Sequence, residues 1–303
     1  MNKINHINIA KGMKAGDLVK EMKGMAYNAG KLGLAVDILE EMIKDKDCKV
    51  FFGQAGALVP GGLRNVLRDF LQEKWVDVFV CTGATLTHDL VEGLGFAHLK
   101  LDGEIEDEKL RKQGYDRVYN SLMQNKAYPA LEDFFNKHWG ILEKVRTIQE
   151  LLTLLGSVSP KETLLRTAYE KKIPVFCPAL ADSGIGLMIW GRKMAGKKIA
   201  IDAFDDMKEI IDIAWTAKKN GVFYVGGGVP KNFIQQSMQF GKPASYGVQV
   251  TTDREEFGGS SGASLQEGIS WGKMIAKGKF VDVNCDATIA LPLILAGLKE
   301  RLT

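Results

Sequence analysis

An alternation constrains this chain more than any other feature. Short runs of β-branched and aromatic residues recur between longer amphipathic segments. The runs are Lys49–Phe52, Val76–Cys81, Ala97–Leu101, Pro174–Cys177, Lys198–Asp202, Val222–Val225, Gly247–Thr251 and Phe280–Asp282. Helical spacing marks Ala35–Lys44, where Leu39, Met42 and Ile43 recur, and also Leu63–Glu73 and Asp206–Lys218. Strands that are apolar on both faces and alternate with helices predict an α/β fold, a largely parallel sheet with helices on both faces. Glu143–Tyr169 holds no strand and reads as two helices broken near Ser157–Pro160. That connection is an ordinary one, and no repeat, low-complexity tract or Gly/Ser-rich linker marks a boundary, so a single domain over residues 1–303 is expected.

Charge excludes one class of partner. Forty basic residues against 37 acidic ones leave a net charge of +3, with no basic stripe and no interleaved aromatics, so no nucleic-acid partner is expected. The four cysteines form no CxxC pair, and Cys81, Cys177 and Cys285 sit in or beside apolar runs, which predicts buried, reduced thiols. The four histidines show no metal-ligand spacing with them, so no metal is expected. The N-terminus lacks the apolar region of a signal peptide. The apolar run Ala287–Leu298 is too short for a bilayer and contains Pro292. The expectation is a soluble, cytoplasmic protein without a membrane partner.

Three strand ends are rich in small residues: Phe52–Gly62, Cys81–Thr85 and Val225–Lys231, the last opening a helix with Pro230 in its first turn. Glycine lets a backbone approach a ligand closely, and helix N-termini attract phosphate. None matches GxGxxG, and each alone is consistent with a tight turn. Three in one alternating chain favour a dinucleotide or other phosphate ligand.

The segment Ser260-Ser-Gly-Ala-Ser-Leu-Gln-Glu-Gly-Ile-Ser-Trp-Gly-Lys273 carries the chemistry. A Gly/Ser-rich turn runs into a short helix bearing Glu267, Trp271 and Lys273, and a strand follows that ends near Asp286. A lysine beside an aromatic and behind glycines suits an amine nucleophile, because imine formation needs a neutral amine and an apolar wall disfavours the charged form. On the residues alone, an ordinary helix-end cation is the favoured reading. Helical geometry points Lys273 away from the stripe shared by Glu267 and Trp271, so all three line one pocket only if the pocket wraps the helix or Gly272 distorts it.

Taken together, Phe51-Phe-Gly, Gly62-Leu-Arg, Val76-Asp-Val, Ile173-Pro-Val-Phe-Cys-Pro-Ala-Leu, Gly226-Gly-Gly-Val-Pro-Lys and Glu267-Gly-Ile-Ser-Trp-Gly-Lys resemble the deoxyhypusine synthase family over nearly the whole chain. The resemblance implies a Rossmann-like domain in a homotetramer, with NAD as cofactor and spermidine as donor of a 4-aminobutyl group. It implies that Lys273 carries the aminobutyl fragment as an imine, with His88 as a further catalytic candidate, either a proton shuttle or a residue behind the site. It assigns Glu267, Trp271, Asn232, Leu187, Gly258, Gly259 and Ser260 to the polyamine. To NAD it assigns Gly56, Ala57, Leu58, Val59, Pro60, Thr82, Gly83, Ala84, Asp182, Gly227, Thr252, Asp253, Asp286 and Ala287.

The sequence departs from eukaryotic members, which carry carboxylates at the positions of His88, Leu187 and Ser260 and a histidine at that of Asn232. Its N-terminus is also short for the arm that those members place over the active site. Fewer acids weaken a pocket for a polycation, leaving Glu267, Asp182 and Asp89. Three functions stay open: transfer to a lysine of the hypusine-bearing translation factor precursor, transfer to putrescine as in homospermidine synthase, and a catalytically silent regulatory paralogue. The thinner acidic interior leans toward the protein lysine, since a free diamine needs a second internal ammonium site.

Overall fold

The structure is a computed structural model describing residues 3–302. The chain runs α1 (Ala15–Met22), α2 (Tyr27–Lys44), β1 (Cys48–Gln54), α3 (Arg64–Gln72), β2 (Val78–Cys81), α4 (Gly83–Gly93), β3 (Leu99–Lys100), α5 (Asp107–Gln113), β4 (Tyr115–Val118) and β5 (Ser121–Gln124). It continues through α6 (Ala127–Leu142), α7 (Ile148–Val158), α8 (Leu164–Lys171), β6 (Val175–Phe176), α9 (Gly184–Met194) and α10 (Ala203–Thr216). It closes with β7 (Lys219–Val225), α11 (Gly228–Phe240), β8 (Ala244–Thr251), β9 (Met274–Asn284) and α12 (Ala287–Leu302).

Six strands hydrogen-bond in the order β6-β2-β1-β7-β8-β9. The pairings of β1 with β7, β7 with β8 and β8 with β9 are all parallel. Numbered along the chain, that is the 3-2-1-4-5-6 order of the Rossmann fold, so the expected α/β class holds. Contacts cluster the chain into two compact units. One gathers residues up to Ala55, Trp75–Val80 and everything from Met207 on; the other gathers Gly56–Lys74 and Cys81–Asp206.

In the first unit the central strands are apolar on both faces, as a doubly covered sheet requires. Phe52 stacks on Phe79 and Phe223, with centroids 5.4 and 4.9 Å apart, tying β2, β1 and β7 through one aromatic ladder. Gly221 lies against Met42 of α2, whereas Gly53, opposite Tyr224 in the ladder, lies against Ile234 of α11. Positions 221 and 224 are three apart on one strand, so α2 and α11 cover opposite faces. The second unit is mostly helical, with α7 against α8, α3 against α8 and α4 against α9, plus a three-stranded sheet of order β3-β5-β4. Thr147, Thr163 and Ser183 each accept an amide from the first turn of the helix they precede, which starts α7, α8 and α9.

Three expectations are corrected. Lys198–Asp202 forms no strand: α9 closes through Gly196 (φ +79), Lys197 N donates to Arg192 O, and the run that follows is largely exposed and has no ladder. The last strand starts at Met274, six residues before the predicted Phe280, because its first half is an exposed edge whose composition hides it. Cys48, not Cys285, joins Cys81 and Cys177 in the core, and burial pushes the Cys48 and Cys177 thiols up to about 12. No helix among the described residues is long and apolar enough to cross a membrane.

Candidate active site

Parallel register brings the carboxyl ends of the first unit's strands to one edge. Gln54 pairs with Val225, Val225 with Val250, and Thr251 with Asn284. The segments leaving β7, β8 and β9 therefore emerge side by side, carrying Gly227, Thr252, Asp253, Asp286 and Ala287. The crossovers diverge between β1 and β7, the switch point at which open α/β sheets bind ligands. Gly226 and Gly228 take left-handed backbone (φ +72 and +54), and a Cβ on Gly227 would lie 2.5 Å from Ser261. Such a glycine turn opening α11 fits a dinucleotide whose phosphates approach backbone closely. Part of the edge is already used: Gly228 N donates to Ser261 Oγ at 2.9 Å, and Asp286 Oδ1 accepts from Thr288 N and Oγ1 at 2.7 and 2.9 Å.

The stretch 258–264, which contains Gly258, Gly259 and Ser260, is pinned from below by a residue the sequence reading passed over. Lys231 on α11 is 4% exposed, and its ammonium donates to Ser260 O at 2.6 Å and Ala263 O at 2.7 Å. Gln249 Nε2 donates to Ser261 O and Ala263 O, both at 3.2 Å. Burial lowers the Lys231 pKa to about 8; Asp282 and Glu267 work against that fall, and the charge of Lys273 adds to it. A signal for Lys231 existed: it shares the buried stripe of α11 with Ile234, Gln235 and Met238, at helical spacing. Neighbouring Asn232 is exposed.

Around Lys273 the helix expected from the sequence is shorter than drawn. A 3₁₀ turn spans Leu265–Ile269, capped by Ser264, and Gly272 (φ +68) then reverses the chain. Lys273 N donates to Gly268 O at 2.8 Å, and its carbonyl accepts from Ala244 N at 2.9 Å, so both backbone groups are fixed where the turn enters β9. Gly272 thus breaks the helical path, one of the two routes by which the three side chains could share a pocket. Lys273 Nζ lies 4.9 Å from the centroid of the Trp271 ring. Glu267 is exposed on the 3₁₀ turn.

In the second unit α4 and α9 gather another set of expected positions. Thr82 caps α4, Gly83 sits so close to Ser183 that a Cβ would lie 2.5 Å from it, and Ile185 N donates to Thr87 Oγ1 at 3.1 Å. Thr82 thus caps the helix that carries Gly83, Ala84 and His88, while Asp182 lies in the turn before the other helix and Leu187 in its first turn; Asp182, Ala84 and Leu187 are exposed. Gly56, Ala57, Leu58, Val59 and Pro60 form a hydrogen-bonded turn, with the Leu58 and Val59 side chains in the core. His88 Nδ1 lies 2.9 Å from His98 Nε2, and His98 Nδ1 lies 2.8 Å from Glu92 Oε1. Burial lowers the His88 pKa to about 4, so its imidazole is neutral at neutral pH. Asp89 is fully buried and accepts from Arg64 Nε at 2.8 Å and Leu164 N at 2.6 Å. It holds α4 to α8 and is not a spare anion for a polyamine.

The comparisons with known proteins agree with one another. The family model for deoxyhypusine synthase matches residues 17–298. A Methanosarcina mazei protein named as a probable deoxyhypusine synthase is 42% identical over 97% of this chain and 94% of its own. An Archaeoglobus fulgidus protein of the same name is 37% identical over 91% and 95%. A crystal structure described as a candidate deoxyhypusine synthase from Entamoeba histolytica shares the fold, with a TM-score of 0.67 and 19% identity over 98% of this chain and 97% of that one. With a matching family model and close relatives that both span nearly its full length, this chain belongs to the deoxyhypusine synthase family.

Proposed function

We propose that this chain is an NAD-dependent deoxyhypusine synthase, moving the 4-aminobutyl group of spermidine, through an imine on Lys273, to a lysine of the hypusine-bearing translation factor precursor. The observation that carries the reading is the Lys273 amine held against the Trp271 ring at the Gly272 turn, with both Lys273 backbone groups tied. An indole face beside a lysine restricts its rotamers and excludes water from one side.

Bound NAD would supply the acceptor for the donor's hydride and the source of the hydride that reduces the product. Gly227, Thr252, Asp253, Asp286 and Ala287 stand where the sheet edge would hold it, and the same assignment extends to the positions at 56–60, 82–84 and 182. The work of the chain itself is amine exchange. The Lys273 amine attacks the imine carbon of the oxidised donor, a C–N bond to Lys273 forms, the bond to 1,3-diaminopropane breaks, and the departing nitrogen takes the two protons that the Lys273 amine gives up. The acceptor lysine repeats the exchange and frees Lys273. His88, Leu187, Asn232, Glu267, Trp271 and the stretch 258–260 are the polyamine-facing groups of this reading. The homotetramer belongs to the same reading, and the exposed apolar stripe of Leu187, Trp190 and Met194 on α9 offers a surface for a further chain.

Incubation with NAD and spermidine, followed by borohydride, should add an aminobutyl mass to the peptide containing Lys273. An adduct on a different lysine, or none with any polyamine, overturns the proposal. Lys273→Arg should keep the fold and lose transfer, since arginine is never appreciably deprotonated.

A further inference from the structure

Helix α4 ends at Gly93, and the chain turns back through Gly95 (φ +95), returning His98 against the helix it has just left. The result is a chain of three side chains within the second unit. Glu92 Oε1 meets His98 Nδ1 at 2.8 Å, and His98 Nε2 meets His88 Nδ1 at 2.9 Å, with the two rings 61° apart. The His98 side chain is 4% exposed, and Arg64 Nε stands 3.6 Å from the other oxygen of Glu92.

The roles follow from donor and acceptor inventory. An ionised carboxylate only accepts, so His98 Nδ1 carries a hydrogen. A neutral His98 then offers Nε2 as an acceptor, and the hydrogen between the rings must sit on His88 Nδ1. A neutral His88 is left with its lone pair on Nε2, which has no hydrogen-bond partner among the described residues. The opposite arrangement places an imidazolium at His98, donating to both neighbours and making His88 Nε2 a donor. That would face a polyammonium ligand with a like charge and an N–H, two mismatches at once.

We propose that Glu92 and His98 are positioning residues, holding His88 as a neutral Nδ1–H imidazole whose Nε2 accepts a hydrogen bond from a nitrogen of the bound polyamine. This rests on the reading that position 88 faces the donor. It gives that position a selectivity of its own. A carboxylate favours an ammonium, whereas a neutral acceptor takes any N–H, including that of the uncharged secondary amine beside the carbon that loses hydride. Orientation is the contribution of the pair behind it: with Nδ1 engaged, the ring cannot flip to present an N–H.

The test uses the full chain labelled with ¹⁵N-histidine, read by NMR, together with 1,3-diaminopropane release. The wild type should show an unprotonated His88 Nε2, a protonated Nδ1 and no titration between pH 6 and 8. His98→Leu should raise KM for spermidine roughly five- to tenfold with kcat within about twofold. His98→Gln should restore KM, because its amide can donate to Glu92 and accept from His88 at once. A hydrogen on Nε2 in the wild type, unchanged kinetics in His98→Leu, or failure of His98→Gln to rescue overturns the inference alone. Absence of spermidine-dependent diaminopropane release by the wild type removes the polyamine reading itself, and the inference with it.

Discussion

Lys231→Met is the perturbation whose outcome the structure fixes most closely. A buried ammonium holds two carbonyls of the stretch 258–264, and methionine reproduces its length and apolar stem without charge or donors. Two effects oppose each other at neutral pH. The variant loses two charge-assisted hydrogen bonds, and it is relieved of the cost of burying a cation. The second effect is visible as the fall of the pKa from 10.5 to about 8, a separation worth about 3 kcal/mol. Net stability near pH 7 should therefore move by no more than about 2 kcal/mol. The pH dependence separates the effects. Below pH 8 folded and unfolded chains both hold the Lys231 proton, and the full cost is present. Between pH 8 and 10.5 the unfolded chain still binds a proton that the folded one has released, so wild-type stability rises with pH. Urea unfolding at pH 7.5 and 10 should show the wild type gaining about 2–3 kcal/mol relative to Lys231→Met, with all other lysines common to both. Parallel pH dependences in the two proteins refute the reasoning.

The buried pair in the second unit should respond unequally. Arg64→Met strands the Asp89 carboxylate and should cost about 3–5 kcal/mol in unfolding free energy, whereas Asp89→Asn should cost under about 2 and still accept from Leu164 N. Burial raises the Asp89 pKa to about 6, so the folded chain keeps a proton that the unfolded one has lost between pH 4 and 6; wild-type stability falls with rising pH there, and Asp89→Asn should remove that slope. Gly272→Ala meets no neighbouring atom, so backbone strain alone should lower stability by about 1 kcal/mol, while borohydride trapping at Lys273 drops tenfold or more as the amine is re-aimed. Given NAD, spermidine and either putrescine or the factor precursor, mass gain on the protein should exceed homospermidine formation; homospermidine alone would promote the diamine reading.

What the sequence makes legible is whatever a local period encodes. Central strands apolar on both faces, such as Val222–Val225, announce a covered parallel sheet before any pairing is known, and three glycine-rich strand ends mark the edge proposed to hold the ligand. Elements whose composition is decided by exposure escape this logic. Tyr115–Val118 sets two exposed polar residues side by side between two half-buried ones at the margin of a small sheet, and the first half of β9 is solvated, so neither carries a strand's period. Lys198–Asp202 has the period and no neighbour to pair with, which shows that a pattern licenses a strand without creating one. The site divides along the same line. Gly272 could be flagged because helical geometry failed without it, and Lys231 could have been found on the apolar stripe of its own helix. Glu92 and His98 could not. They join His88 in one chain only because Gly95 reverses the backbone at the end of α4 and returns His98 between Glu92 and His88, and a contact made by a turn outside any periodic element leaves no spacing to read. The polar chain behind position 88 is therefore a tertiary property, and it gives His88 a chemistry that its residue type alone misstates: a neutral acceptor in place of a group poised to titrate.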